Sequence, residues 1–276
     1  MGAEEIPNRP VLLTGASGAL GRILARALAA RGWSLWLTDR APFPDPVPAG
    51  ARFTRADLED GPMILRLAEG CGTIVHLGGV SVEQPFETVI GPNLRGLYHV
   101  YEAARREGAR VVFASSNHAV GFRERAEVLD DDCALAPDGF YGLSKAYGEL
   151  MGRLYRDKHG VESVVLRIGS CFPEPTDARM LATWLSAEDL VRLIARATLA
   201  SDLGPEGRTV IWATSNNSRM TWWRRDGRDV IGWAPQDSAD PFIPHLEDRT
   251  TDDRIVERYQ GGAFTAIDYS RDGGRS

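Results

Sequence analysis

The chain has 276 residues, enough to bury the full core of one larger domain. Hydrophobic residues make up 43% and charged residues 25%, an ordinary composition for a globular protein. The net charge of −6 argues against a nucleic-acid-binding surface, and no apolar run is long enough to cross a membrane. We therefore expect partners other than nucleic acid or membrane.

The cysteines indicate the compartment. Cys71, Cys133 and Cys171 are odd in number and far apart. This spacing predicts neither a disulfide framework nor a zinc site, so we expect no metal. Because the N-terminal residues also have no signal-peptide core, the cytoplasm is the expected location.

A glycine turn follows the first predicted strand, residues 10–14, and precedes an amphipathic helix. Gly15 allows a tight turn, Gly18 lets the backbone approach a pyrophosphate, and Gly21 allows close packing of helix on strand. The helix N-terminus adds free N–H groups for phosphate. A simple tight turn is the alternative, but the order favours a dinucleotide site formed by Gly15, Ser17, Gly18, Ala19, Leu20 and Gly21.

The second predicted strand, residues 34–38, ends at Asp39. A carboxylate at this position can accept hydrogen bonds from the adenosine ribose and repels a 2′-phosphate, so the sequence favours NAD over NADP. Arg40 keeps NADP open, because a guanidinium can bind phosphate. A turn or helix cap is the structural alternative for Asp39. After a third strand at 52–54, Asp57 and Leu58 are expected to meet the adenine.

Residues 73–77 predict a buried strand that ends in Leu77, Gly78 and Gly79. Two glycines at the carboxyl end of such a strand leave room for a cofactor. His76 lies inside the apolar run, which indicates a hydrogen-bonded core histidine without a catalytic role. A long helix is predicted over 86–107.

A tyrosine and a lysine four residues apart are the strongest catalytic signal. If Tyr141 and Lys145 lie in a helix, one turn separates them, so the phenol and the ammonium share a face. A nearby cation favours phenolate, which predicts a lowered tyrosine pKa and a usable proton acceptor. On its own, the same spacing also fits a solvated helix face.

The predicted strands and helices alternate along the chain, with further strands at 111–114, 163–168 and 209–212 and a helix at 186–200. This alternation predicts an α/β fold, a Rossmann-type doubly wound parallel sheet whose ligand crevice lies at the carboxyl ends of the strands. The expected division is an NAD-binding core with the catalytic residues at 8–175, a small contiguous substrate-side cap at 176–265 and a flexible tail at 266–276. Trp222 and Trp223 fit core packing, a cover over the site or a subunit contact.

Four motifs, in order, resemble the extended short-chain dehydrogenase/reductases: TGASGALG, HLGG, FASSNHAVG and YGLSK. The resemblance implies a catalytic set of Ser116, Tyr141 and Lys145, with Ser115 as the second choice for the serine. It also implies that Lys145 holds the nicotinamide ribose and that Asn93 supports an active-site water. The strand ends expected to contact the cofactor in addition include Ser115 and Ile168.

A narrower resemblance rests on SSNHAVGF, RIGSCFPEPTDARMLATWLS and GWAPQDSAD, which are similar to segments of the bacterial uronate dehydrogenases. It implies oxidation of the C1 hemiacetal of glucuronate or galacturonate to an aldarolactone with NAD, in a homo-oligomer. Arg179 would grip the C6 carboxylate through bidentate hydrogen bonds, unless it forms a surface ion pair. The other residues expected to contact the sugar are Ser81, Ser116, Asn117, His118, Tyr141 and Ser170, although His118 also fits a structural loop residue.

Three alternatives share parts of this pattern. A sugar epimerase or dehydratase of the same superfamily would use the same serine, tyrosine and lysine, but normally needs a larger cap for a nucleotide diphosphate. A non-catalytic dinucleotide-sensing protein could dispense with the intact tyrosine and lysine pair. A steroid or aldehyde reductase would need an apolar pocket.

Overall fold

A computed structural model describes residues 5–271. Within this range seven strands, all paired in parallel, form one sheet with the order β3-β2-β1-β4-β5-β6-β7. The predicted doubly wound Rossmann-type fold is confirmed. The strands are β1 Val11–Thr14, β2 Leu35–Asp39, β3 Ala51–Arg55, β4 Thr73–His76, β5 Arg110–Ser116, β6 Ser163–Ile168 and β7 Arg208–Ala213.

Helices connect the strands and cover both faces of the sheet. The α-helices are α1 Ala19–Ala30, α2 Gly61–Ala68, α3 Phe86–Val89, α4 Gly96–Glu107, α5 Phe140–His159, α6 Met180–Thr183, α7 Ala187–Leu199, α8 Ile243–Leu246 and α9 Arg254–Arg258. Short 3₁₀ helices occur at Asn117–Val120, Asp240–Phe242 and Gly262–Ala266. Between residues 5 and 271, no helix combines the length and the apolarity that a membrane crossing needs.

The helix predicted over residues 86–107 is not one continuous α-helix. A π-helical turn, Ile90–Arg95, separates α3 from α4. Pro92 lies in this turn and has no N–H to donate, and its ring clashes with the carbonyl four residues back, so the helix widens locally. The sequence prediction missed this interruption because the apolar periodicity continues through it.

Two apolar layers hold the sheet. On one face, Leu13 packs in a cluster with Leu24 of α1 and Leu193 of α7, while the preceding residue of the strand, Leu12, packs on the other face with Val100 of α4. Because successive strand side chains point to opposite faces, burial on both faces explains the continuous apolar runs of the sequence.

The segment after residue 175 contributes a strand to the sheet. Its strand β7 pairs with β6 and forms one edge of the sheet. The division into a core at 8–175, a cap at 176–265 and a tail at 266–276 stays a proposal, and residues 272–276 of that tail lie outside the described range. Trp222 and Trp223 are both 8% exposed and pack with Trp212, which agrees with the core interpretation.

Candidate active site

A cavity of about 1980 Å³ lies at the carboxyl ends of the parallel strands. Pockets for one small ligand usually measure about 300–1,000 Å³, so this cavity has room for a dinucleotide and a second molecule. The predicted site residues that line it are Gly15, Gly18, Ala19, Leu20, Gly21, Asp39, Arg40, Asp57, Leu58, Leu77, Gly78, Gly79, Ser81, Ser115, Ser116, Asn117, His118, Tyr141, Lys145, Ile168, Ser170 and Arg179. Ser17 and Asn93, predicted with them, are not in its lining.

The glycine turn has the geometry that the sequence predicts. Gly15 has a φ of +71°, which a residue with a side chain adopts only with strain. A Cβ on Gly21 would lie 2.2 Å from the Gly15 carbonyl oxygen, so α1 packs directly on the turn. At Gly18, the residue preceding α1, the nearest atom to an added Cβ is 3.4 Å away, and no side chain caps the helix. The exposed helix N-terminus beside open space fits a bound diphosphate.

Asp39 has the capping role considered for it, and its contact with the adenosine ribose stays a prediction. Its Oδ2 accepts a hydrogen bond from the Ser17 N–H at 3.1 Å and its Oδ1 accepts one from the Ala41 N–H at 3.0 Å, so it caps two turns. It also lines the cavity, next to Arg40. The Ser17 hydroxyl donates to the Ala41 carbonyl at 3.1 Å, so its hydroxyl and its backbone N–H both bond to protein groups, and its cofactor contact stays a prediction.

Asn93 joins the loop after β4 to α5. Its side chain accepts from the Val80 N–H at 2.7 Å, donates to the Val80 carbonyl at 2.9 Å and donates to the Ser144 hydroxyl at 2.9 Å. All of these contacts are to protein groups. The expected support of an active-site water stays a prediction.

A glutamate from a distant loop fixes the start of α5. The Glu83 carboxylate accepts from the N–H groups of Phe140 and Tyr141, each at 2.9 Å. A carboxylate at a helix N-terminus satisfies free donors and complements the helix dipole. Tyr141 therefore sits in the first turn, and Lys145 follows one turn later with its Nζ 5.4 Å from the Tyr141 ring centroid.

The pKa of the Tyr141 phenol differs from the sequence prediction. Burial raises the pKa of Tyr141 to about 12, a hydrogen bond to Ser116 works in the opposite direction, and the Asp138 charge raises it again. Burial lowers the pKa of Lys145 to about 8, and its ammonium donates to the Ala114 carbonyl at 2.8 Å. The predicted lowering of the tyrosine pKa is wrong for the protein groups alone, because desolvation of the phenolate outweighs the other effects.

The two candidate serines point to different partners. The Ser115 hydroxyl donates to the buried Glu149 carboxylate at 2.7 Å, behind the site. The Ser116 hydroxyl accepts from the His118 N–H at 3.3 Å and hydrogen-bonds with Tyr141. The hydroxyl available beside the phenol is thus that of Ser116, the first choice of the sequence analysis.

At the other end of the cavity, Arg179 is half-buried just before α6. Its Nε donates to the Gln260 carbonyl at 2.8 Å. With the Asn117 amide oriented so that its nitrogen donates to the Ile168 carbonyl, the amide oxygen accepts from Arg179 Nη2 at 2.6 Å. Burial lowers its pKa to about 10, so it stays cationic at neutral pH. Among residues 5–271 no carboxylate lies within ion-pair distance of it, so the surface ion pair considered as an alternative does not occur there.

The other residues predicted to contact the sugar at this end are His118, Ser170 and Ser81, which all line the cavity. The Ser170 and Thr183 hydroxyls hydrogen-bond at 2.8 Å. The His118 ring stacks on Phe264 at a centroid distance of 4.0 Å, with Tyr141 edge-on at 5.7 Å. His76, in contrast, is 2% exposed and its Nδ1 lies 2.7 Å from the Thr14 hydroxyl, which confirms the core interpretation.

Sequence reasoning missed Phe264. It lies near the end of the predicted cap at 176–265, in the 3₁₀ helix Gly262–Ala266, which places this aromatic ring on the cavity wall. Gln260, which is fully buried, anchors the segment through a bond from the Trp223 indole at 2.9 Å. A single phenylalanine in a glycine-rich stretch was the available signal.

Comparison with known proteins agrees with this geometry. Residues 11–187 match the model of the NAD dependent epimerase/dehydratase family. The chain is 43% identical over 265 residues to the uronate dehydrogenase of Pseudomonas syringae pv. tomato, which covers 95% of each protein. It also superposes with a TM-score of 0.86 on the crystal structure of uronate dehydrogenase from Agrobacterium tumefaciens, at 42% identity over 94% of this chain and 97% of that one.

A crystal structure of the same A. tumefaciens enzyme, a tyrosine-to-alanine mutant complexed with NAD, is similar with a TM-score of 0.87 and 41% identity, covering 95% of this chain and 98% of that one. The family match extends over the glycine turn, both serines and the tyrosine–lysine pair. The chain belongs to the NAD dependent epimerase/dehydratase family and, within it, to the uronate dehydrogenases.

Proposed function

We propose that this protein oxidises the C1 hemiacetal of glucuronate or galacturonate with NAD and releases the aldarolactone. Arg179 is the observation that carries the substrate assignment. Its guanidinium lines the cavity, stays cationic and has no carboxylate within ion-pair distance between residues 5 and 271, although the charges of Asp177 and Asp138 act on it from further away. A planar guanidinium matches a carboxylate bidentately, so a sugar acid satisfies it and a neutral hexose does not.

Tyr141 is the proposed base. Its phenol takes the proton of the anomeric hydroxyl, while Ser116 hydrogen-bonds to the same oxygen and orients it. Lys145, fixed by the Ala114 carbonyl, keeps a cation beside the phenol and is placed to hold the nicotinamide ribose. NAD, when bound, supplies the hydride acceptor, and its ring charge favours the phenolate that the buried protein environment disfavours.

The proposed cofactor contacts divide along the cavity. The glycine turn from Gly15 to Gly21 takes the diphosphate, and Asp39 takes the adenosine ribose. Asp57 and Leu58 meet the adenine, while Gly78 and Gly79 leave room beside β4. Arg40 is exposed, and its carbonyl accepts from the Arg55 Nε at 2.6 Å. The carboxylate of Asp39 nearby supports NAD over NADP.

The sugar would occupy the end of the cavity around Arg179. Ser81, Asn117, His118 and Ser170 offer short polar groups to its hydroxyls, and Arg179 binds the C6 carboxylate. The lactone forms directly by oxidation of the ring hemiacetal, so no further base is needed to bring water to a carbonyl.

The decisive experiment follows NADH absorbance after mixing the protein with NAD and either glucuronate, galacturonate or glucose. We expect turnover of at least one hexuronate and little turnover of glucose. Arg179→Ala should lower kcat/KM for the hexuronate about 100-fold, as expected when a charged hydrogen-bonding partner is lost. Arg249→Ala is the matched control, because Arg249 also lines the cavity but is exposed. Equal activity on glucose, or equal effects of the two variants, would contradict the carboxylate clamp.

We also propose that the protein acts as a homo-oligomer in the cytoplasm. Leu143, Leu150 and Leu154 share one face of α5 and are 49%, 61% and 48% exposed, and Tyr98 on the adjacent α4 is 46% exposed. An apolar stripe of this size fits burial against a second copy of the chain. The cysteines at 71, 133 and 171 are free, which fits a reducing compartment. Light scattering after size-exclusion chromatography measures the molar mass in solution. The mass of a single chain would refute the oligomer.

A further inference from the structure

We propose that Asp138 is a positioning residue that keeps the proton of His118 on Nδ1, so that Nε2 offers its lone pair to a hydroxyl of the substrate. The proposal rests on the proposed function in one respect, because it takes the ligand of this end of the cavity to be a sugar. His118 touches the substrate in this scheme, and Asp138 acts through it.

The contact between the two side chains is short and buried from solvent. His118 Nδ1 lies 2.6 Å from Asp138 Oδ2, and the Asp138 side chain is 0% exposed. An ionised carboxylate can only accept hydrogen bonds. Nδ1 must therefore carry a proton, and in the neutral ring Nε2 is left as an acceptor.

Three glycines enclose the carboxylate. A Cβ built on Gly121 or Gly261 would lie 1.9 Å from Asp138 Oδ2, and one on Gly142 would lie 2.8 Å from Oδ1. These glycines come from the end of a 3₁₀ helix, from α5 and from the segment before Gly262–Ala266, so three separate parts of the fold leave space for one side chain. The carboxylate consequently has little freedom to turn away from the imidazole.

Among the described residues, the other carboxylate oxygen of Asp138 is an unpaired buried acceptor, which is unfavourable for stability. Oδ1 is buried and has no hydrogen-bond partner among residues 5–271. An unpaired buried acceptor destabilises the fold, and such groups are uncommon unless the site requires them. The contact that compensates for this cost is the one to His118.

Two further contacts hold the histidine in place. Phe264 stacks on it at 4.0 Å with an interplanar angle of 18°, and the His118 backbone N–H donates to the Ser116 hydroxyl at 3.3 Å. The ring lines the cavity, and Nε2 makes no hydrogen bond to a described protein group. A ring with its Nδ1 bound to Asp138 and one face stacked on Phe264 presents Nε2 to the ligand.

The first measurement is the tautomer itself. Nitrogen-15 NMR of protein labelled at histidine distinguishes Nδ1–H from Nε2–H, and the chain has five histidines, so His118→Gln would assign the signal. We expect His118 in the unaltered protein to carry its proton on Nδ1. A neutral ring with its proton on Nε2 would overturn the proposal without any change to Asp138.

The second measurement uses Asp138→Asn, which keeps the shape but can present either a donor or an acceptor to Nδ1. We expect a mixture of tautomers and a rise of about tenfold in KM for the hexuronate, as for one lost hydrogen bond. We expect the change in KM to exceed the change in kcat, because the bond is made equally in the bound substrate and in the transition state, whereas loss of the Asp138 charge acts on kcat only through the Tyr141 pKa, which that charge raises. KM for NAD should stay constant.

The matched control is Asp226→Asn, which removes a carboxylate that is also buried, with 1% side-chain exposure, but pairs with Arg228. It should alter neither the His118 signal nor KM for the hexuronate. If Asp138→Asn mixes the tautomers and leaves KM unchanged, the proposed role is refuted. The tautomer spectrum is recorded without sugar, so a failure of the proposed function would appear separately, as the absence of NADH formation by the unaltered protein.

Discussion

A buried ion pair behind the active site gives the sharpest stability prediction. Glu149 of α5 and Arg167 of β6 have side-chain exposures of 2% and 3%. Arg167 donates to both Glu149 oxygens, at 3.0 and 2.9 Å, and Ser115 donates to one of them at 2.7 Å. Arg208 adds a second cation at 4.0 Å. Glu149→Ala would leave these donors without their acceptor.

The expected effect is large because a guanidinium stays buried without compensation. Removing one partner of a buried pair costs about 3–5 kcal/mol. For a chain of this length, each kcal/mol shifts the melting temperature by about 2–4 °C, so we expect Glu149→Ala to melt about 6–20 °C lower. Loss of an exposed ion pair, such as Arg153 with Asp157, should change the melting temperature by about 2 °C or less.

Thermal unfolding followed by circular dichroism tests this, with Asp157→Ala as the control. The double variant Glu149→Met with Arg167→Met removes both charges and keeps the volume filled with apolar atoms, so it should recover at least half of the loss. A fall of less than about 2 °C in Glu149→Ala, or a double variant less stable than the single one, would refute the reasoning that the uncompensated charge is the cause.

Three further predictions concern the site and the core. Tyr141→Phe should lower kcat at least about 100-fold, since general base catalysis contributes that much or more, with NAD affinity by calorimetry changing less than threefold; retained turnover would move the base elsewhere. Phe264→Ala should raise KM for the hexuronate more than KM for NAD, because the ring forms the wall against His118, and equal changes would count against this placement. Burial lowers the pKa of His76 from 6.5 to about 3, so the unfolded chain binds the extra proton between these values. The stability that His76 contributes is complete above pH 6.5 and falls with pH by at most about 1.4 kcal/mol per unit, and urea unfolding of His76→Gln should show a shallower dependence.

Rules about residues that are close in sequence predicted the glycine turn and the buried strands well. Gly15 needs a positive φ, Gly21 needs the absence of a side chain, and both requirements follow from a strand, a turn and a helix in sequence. The strands buried on both faces also follow directly from their apolar runs. These features depend on neighbours along the chain, which the sequence shows.

The part of the site around Tyr141 and Arg179 depends on contacts between residues that are distant in sequence, and the sequence does not show these contacts. Glu83 caps a helix that begins at Phe140, and Gln260 supplies the carbonyl that orients Arg179. The Tyr141 pKa was predicted in the wrong direction because the prediction included the neighbouring cation and left out burial. Burial is a property of the whole fold, so no motif could reveal its size.

The position of Gln260 along the chain has a consequence for biosynthesis. Its backbone and side chain join the loops around Arg123, Glu124 and Glu127 to the wall that carries Phe264. A growing polypeptide emerges from its amino end, so the glycine turn and the tyrosine–lysine helix leave the ribosome long before this wall does. The residues proposed to bind the nucleotide are thus synthesised before the wall proposed to enclose the sugar.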